Sequence, residues 1–148
     1  MTILIENIKA CHKDYFMKMS QAFYKSEAVA HDIAYEYHEK AWAEMMASDT
    51  YIEGFIIKHD DENAGYALLN KAYSREVGGV VIWIEELFIE EKFQGNGLAT
   101  YFFNWLRENY KAARYRLEVE PDNFKAIDLY KRWGFERLGY DQYVLDQS

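Results

Sequence analysis

The chain has 148 residues, half of them hydrophobic and 28% charged, which suits one buried core and is too apolar for a disordered segment. A single cysteine, Cys11, excludes an intrachain disulfide framework and a multi-cysteine zinc site, and the net charge of −8 argues against a nucleic-acid backbone as partner. The opening Met1–Glu6 run lacks the basic start of a secretory signal, and no stretch approaches the roughly 20 apolar residues of a membrane span; a soluble, cytoplasmic protein with no membrane partner is expected.

Taken in order, Ile3 to Ile8 reads as a strand and Lys13 to Lys25 as a helix. A second helix is expected over Tyr35 to Ala47, where Ala, Trp and Met recur at helical spacing. Tyr51 to Lys58 and Ala64 to Tyr73 read as strands joined by the polar turn Asp60–Asn63, and Gly78-Gly79 marks the next turn. Val80 to Ile89 is nearly continuously apolar, as in a strand covered on both faces. A helix is expected from about Gly97, a strand over Tyr115 to Val119, a helix over Asp122 to Trp133, and a last strand or hairpin over Phe135 to Leu145. No repeat, linker or low-complexity tract interrupts this order, and Pro121 is the sole proline. One domain over residues 1–148 follows, with a mixed α/β sheet carrying helices on both faces.

Two segments carry the chemistry. In the first, the apolar strand ends at Glu85-Glu86-Leu87-Phe88-Ile89 and enters Gln94-Gly95-Asn96-Gly97-Leu98-Ala99, a glycine-bearing turn that opens a helix. Glycines permit positive φ and close backbone approach, and the first amides of a helix have no intrahelical partner and sit at its positive end. Such a turn can cradle a pyrophosphate without any basic side chain. A turn whose glycines serve packing alone would read the same way. In the second segment, Asn123 and Tyr130 lie two helical turns apart on one face, with the small Ala126 between them.

Together, Gln94-x-x-Gly97-x-Ala99 and Asn123-x-x-Ala126-x-x-x-Tyr130-x-x-x-Gly134-Phe135 resemble, in order and spacing, the acyl-CoA signature and downstream motif of the GNAT superfamily of N-acetyltransferases. The resemblance is specific over Trp83 to Phe135 and architectural before it. It implies a mixed sheet whose central strands splay to admit a pantetheine arm, with acetyl-CoA as cosubstrate and no metal. It further implies that the backbone of Leu87, Phe88 and Ile89 binds pantetheine like an added strand. Gln94, Gly95, Asn96, Gly97, Leu98 and Ala99 would surround the pyrophosphate, with a hydroxyl from Thr100, and Asn123 and Ala126 would lie along the cofactor. Tyr130 would protonate the departing thiolate, a reasonable transfer between a phenol of pKa about 10 and a thiol of about 8.5. The first motif position is Gln where many members carry Arg, which removes one phosphate charge.

Glu85 and Glu86 stand adjacent inside an apolar run. Neighbouring residues of a regular strand point to opposite faces, so at least one carboxylate should line a cleft, where desolvation raises its pKa toward that of a base for the acceptor ammonium. Glu85 has the offset to Gln94 that resembles the catalytic carboxylate of polyamine acetyltransferases; Glu86 and a purely structural pair at a bulge stay open.

Ser26 to Glu62 carries ten acidic residues against two lysines. The superfamily takes acceptor contacts mainly from the first two helices and the loop between them, so the resemblance implies Tyr24, Glu27, His31 and Tyr35, with Glu85, as acceptor residues. Their acidic and aromatic character suggests a small cationic amine: a polyamine, an aminoglycoside-like molecule or an amino-acid analogue. A solvated acidic face would give the same composition. His31 and His38 match no metal pattern. An acyl-CoA-binding module without catalysis, or a protein-amine acceptor, are the rival readings, and a homodimer is expected by analogy alone.

Overall fold

The computed structural model describes residues 1–147. In chain order the elements are β1 (Ile3–Asn7), α1 (Lys13–Tyr24), α2 (Tyr35–Ala47), β2 (Ile52–His59), β3 (Glu62–Ser74), β4 (Gly79–Ile89), α3 (Leu98–Asn109), β5 (Arg114–Arg116) and α4 (Phe124–Arg132). The strands form one sheet in the order β1-β2-β3-β4-β5, antiparallel except for the parallel β4–β5 pair.

β2 and β3 meet in a two-residue hairpin. Asp60 and Asp61 both adopt positive φ, 48° and 68°, the left-handed pair whose twist matches that of the flanking strands. β3 therefore starts at Glu62, two residues earlier than its apolar run. Each face of the sheet buries its own cluster. Phe55, Ile57, Ala67, Leu69, Ile82 and Ile84 pack beneath Leu98, Phe102, Phe103 and Leu106 of α3. Ile56 and Tyr66 pack beneath Phe16, Met19 and Phe23 of α1 and Trp42 of α2. These helix residues recur at three- and four-residue intervals, which turns one stripe of each helix onto the sheet.

Two features of β4 position the site. The first is a bulge: Ile84 pairs with Leu69 and Glu86 with Leu68, so Glu85 has no partner on β3. One extra residue reverses the alternation, placing Ile82 and Ile84 on the α3 side and Glu86 on the α1 side, which a regular strand cannot do. The second is an early end to pairing. β5 accompanies β4 only from Val81 to Trp83, and beyond Trp83 no strand among the described residues lies beside the outer edge of β4.

The expected strand or hairpin over 135–145 does not form. The chain after α4 is irregular through residue 147, and Tyr143, Val144 and Leu145 are 84% or more exposed. A three-residue β5 offers too short a ladder to order another strand, and three consecutive apolar residues cannot all face one layer. Similarly, α4 starts at Phe124 rather than Asp122, because Asn123 caps it by accepting a hydrogen bond from the Ala126 amide at 3.3 Å.

Gly65 marks the tightest approach within the sheet. A Cβ there would sit 2.1 Å from the Phe88 carbonyl oxygen, which is backbone and cannot rotate away. Gly65→Ala should destabilise the fold by about 2–3 kcal/mol, as overpacking does, read as a lowered urea midpoint with unchanged m. An unshifted midpoint would mean that β3 and β4 separate there at no cost.

Candidate active site

The turn between β4 and α3 is built on left-handed glycines: Gly95 has φ 83° and Gly97, the residue that starts α3, has φ 75°. A Cβ at either position meets nothing within 4 Å, so open space lies in front of both. The side chains of the turn brace it from within. Gln94 Nε2 donates to the Ile89 carbonyl at 3.0 Å and Asn96 Nδ2 to the Phe93 carbonyl at 3.0 Å. The first intrahelical bond of α3 runs from the Tyr101 amide to the Gly97 carbonyl, leaving the amides of Leu98, Ala99 and Thr100 as the unbonded first-turn donors. The concavity thus presents backbone N–H groups at the positive end of a helix, and no side chain caps it. Thr100 Oγ1 accepts a hydrogen bond from Trp133 Nε1 at 3.1 Å, which ties α3 to the end of α4.

Leu87, Phe88 and Ile89 lead into this turn along the free edge of β4. Their side chains divide between the layers, Leu87 and Ile89 toward α3 and Phe88 toward α1. No described strand covers this edge, so the Leu87 backbone can take an extended ligand, while the Ile89 carbonyl already accepts from Gln94 Nε2.

The two adjacent carboxylates have different surroundings. Glu86 is 6% exposed, and its Oε1 accepts a hydrogen bond from the Tyr66 hydroxyl at 2.5 Å, its Oε2 one from Tyr24 at 3.3 Å. Burial raises its pKa to about 7, the negative charge of Glu85 adds to the rise, and the two phenols oppose it. Glu85 is exposed and accepts only a 3.3 Å bond from Asn70 Nδ2. It lines a shallow cleft of about 280 Å³ with Trp83, Glu118 and Gln142. The bulge separates the pair: it leaves Glu85 at the rim and turns Glu86 inward.

Tyr130 belongs to α4. Its ring packs 5.4 Å from Trp133 and 6.2 Å from Phe135, and Trp133 stacks on Phe103 of α3 at 4.8 Å. Burial raises its pKa, so it is a protonated phenol at neutral pH. Asn123 spends its side-chain oxygen on the α4 cap, with Ala126 as the residue it caps.

Of the expected acceptor residues, only Tyr24 reaches the buried carboxylate. Glu27 and His31 are exposed on the connection between α1 and α2. Tyr35 faces a separate open groove of about 500 Å³ along α1, lined by Lys13, Lys18 and Lys25, whose charge is unsuited to a cation. His38 is buried, with Nδ1 2.9 Å from Ser20 Oγ, and burial lowers its pKa. Tyr66 and Trp133 are parts of this arrangement that the sequence does not single out. The bulge shifts the register so that Tyr66 pairs with Phe88, on the same face as Glu86. Among the described residues no cluster of three metal-ligating side chains occurs, and no helix is long and apolar enough to cross a membrane.

Residues 14–135 match the model of the Acetyltransferase (GNAT) family. A spermine/spermidine N(1)-acetyltransferase from Bacillus subtilis (strain 168) is 30% identical over 95 residues, a match spanning 60% of this chain and 62% of that protein. Among solved structures, a possible acetyltransferase from Clostridium difficile 630 superposes with a TM-score of 0.83 at 18% identity, covering 100% of this chain and 99% of the other. An aminoglycoside N-acetyltransferase in complex with CoA superposes at 0.79 and 15% identity, covering 99% and 96%.

Proposed function

Since the chain belongs to the GNAT acetyltransferase family, we propose that it transfers an acetyl group from acetyl-CoA directly to a primary amine of a small cationic acceptor. The observation that carries this reading is the placement of Glu86: a buried carboxylate with a pKa of about 7, on the strand whose outer edge falls free one turn before an uncapped helix N-terminus. The residues present suit the cosubstrate. The unbonded amides of Leu98, Ala99 and Thr100 and the open space before Gly95 and Gly97 would hold its pyrophosphate, and the edge of Leu87 to Ile89 its pantetheine.

When bound, acetyl-CoA supplies an activated acetyl thioester. Glu86 takes the proton from the acceptor ammonium through Oε2, because only the neutral amine has the lone pair that bonds to the carbonyl carbon. A backbone amide of the β4 edge donates to the carbonyl oxygen as negative charge collects there. As the carbon–sulfur bond breaks, Tyr130 gives its proton to the sulfur, and the second proton that the nitrogen loses as the amide forms returns to the phenol through solvent. Glu86 bonds Tyr66 of the cluster beneath α1, whereas Tyr130 packs on Trp133 and Phe135 beside the α3 cluster, an arrangement that would separate the acceptor from the leaving thiol. Glu85 takes no proton in this scheme. Instead, with Glu118, it lines the adjoining cleft with two carboxylates against one lysine, Lys71, whose ammonium is paired with Glu53 at 2.8 Å, which leaves a negative wall suited to a second cationic centre. The polyamine and aminoglycoside acetyltransferases that the chain resembles agree with such an acceptor.

A thiol-release assay with acetyl-CoA and a panel of spermidine, spermine, an aminoglycoside and lysine tests this. Turnover should be saturable with at least one polycation. Tyr130→Phe should lower kcat about 10²-fold, the lower end for loss of a general acid, with the acceptor KM little changed. Saturable acetyl-CoA binding without thiol release for any amine would instead support a binding module.

A further inference from the structure

Glu86 is held unequally. Its Oε1 receives the short bond from Tyr66, while Oε2 has the long contact from Tyr24. Tyr66 itself is fully buried, and its ring is wedged by Phe16 at 5.4 Å, Phe23 at 6.4 Å and Phe88 at 6.3 Å, from α1 on one side and β4 on the other. A phenylalanine would fill that space equally well. A hydroxyl in an apolar cluster is costly unless it is bonded, and the acceptor it has here is the carboxylate. Tyr24, by contrast, is half-buried at the end of α1, where its ring meets His38 of α2 edge-on at 5.6 Å.

We propose that Tyr66 is a positioning residue for Glu86: its hydroxyl pins Oε1 and thereby presents Oε2 to the acceptor amine. The proposal rests on Glu86 being the base. The groups facing the carboxylate are Tyr66 from β3, Tyr24 from α1 and Glu85 from β4 itself; His38 faces Tyr24 rather than Glu86. Tyr66 remains a protonated donor throughout the working range, because burial and the Glu86 charge both push its pKa up. Its bond favours the ionised carboxylate and counters the burial that raises Glu86. Without that hydroxyl, Glu86 holds its proton to higher pH.

The test is the pH dependence of kcat/KM in wild type and Tyr66→Phe, beside an infrared titration of the Glu86 carboxyl band, assigned by its absence in Glu86→Gln. The acidic limb and the band should both move up by about one to two pH units, the size a hydrogen bond to a charged group produces. Activity should recover above the displaced limb. A uniform loss at every pH, with limb and band unmoved, overturns the proposal and leaves Tyr66 as core packing. If neither protein turns over any amine, the acetyltransferase reading fails, and the band alone decides on Tyr66. Should Tyr66→Phe fail to fold, 3-fluorotyrosine at position 66, a more acidic donor in the same space, should move limb and band downward; no movement overturns the proposal.

Discussion

Glu86→Gln should lower kcat/KM by about 10²–10⁴-fold, the usual cost of losing a general base, while making the folded protein more resistant to heat at pH 8. The two effects have one cause. In the folded chain the Glu86 carboxyl holds its proton up to a pH of about 7, against an ordinary value of 4.5, chiefly because burial disfavours the charge. Between those two values the folded state binds more protons than the unfolded one, so stability falls as pH rises. The cost is absent below pH 4.5 and complete above about 7. A shift of this size corresponds to roughly 3 kcal/mol, an upper bound for what a neutral side chain of the same shape can recover. Melting curves at pH 5 and pH 8 separate the cases. The variant should gain several degrees over wild type at pH 8 and little at pH 5. A variant less stable at both pH values would show that the bonds from Tyr66 and Tyr24 more than offset the burial.

Gly97→Val should weaken acetyl-CoA binding by about 10²-fold or more in a calorimetric titration. Two physical effects combine. Gly97 sits at φ 75°, where a β-branched residue is strained by about 1–2 kcal/mol. Its Cβ would also project into the open space before the Leu98, Ala99 and Thr100 amides. The first effect moves the melting temperature; the second does not, because a Cβ there touches nothing in the unliganded chain. Gly78→Val separates them. Gly78 has the same backbone demand, φ 67° with nothing within 4 Å, but lies in the turn before β4. It should match the stability loss and leave acetyl-CoA affinity unchanged. Equal affinity losses at both positions would remove the cradle from the proposed function.

Most of the framework is legible in the chain because it rests on local signals. Apolar stripes mark α1 and α3, the Tyr35–Ala47 periodicity marks α2, and turn residues bracket β2 and β3 to within two residues. The glycine turn into α3 is equally local. What cannot be read is what depends on pairing. Alternation along β4 leaves Glu85 and Glu86 indistinguishable, because the bulge that separates them is defined by register against β3. Tyr66 has no sequence mark for the same reason: it meets Glu86 only through that register. The end of the chain shows the opposite failure. Tyr140 to Leu145 has strand-like composition, but composition cannot supply the neighbouring edge a strand needs, and β5 is three residues long.

Under the proposed function, the free edge of β4 would tie the stability of the fold to its cosubstrate. A sheet that is one ladder short beyond Trp83 leaves backbone groups to water until something extended lies against them. Under the proposed function that something is the cosubstrate, which binds the folded chain and not the unfolded one. At a concentration 100 times its dissociation constant, such a ligand adds about 2.7 kcal/mol to folding. The fraction of unfolded chains then falls about a hundredfold.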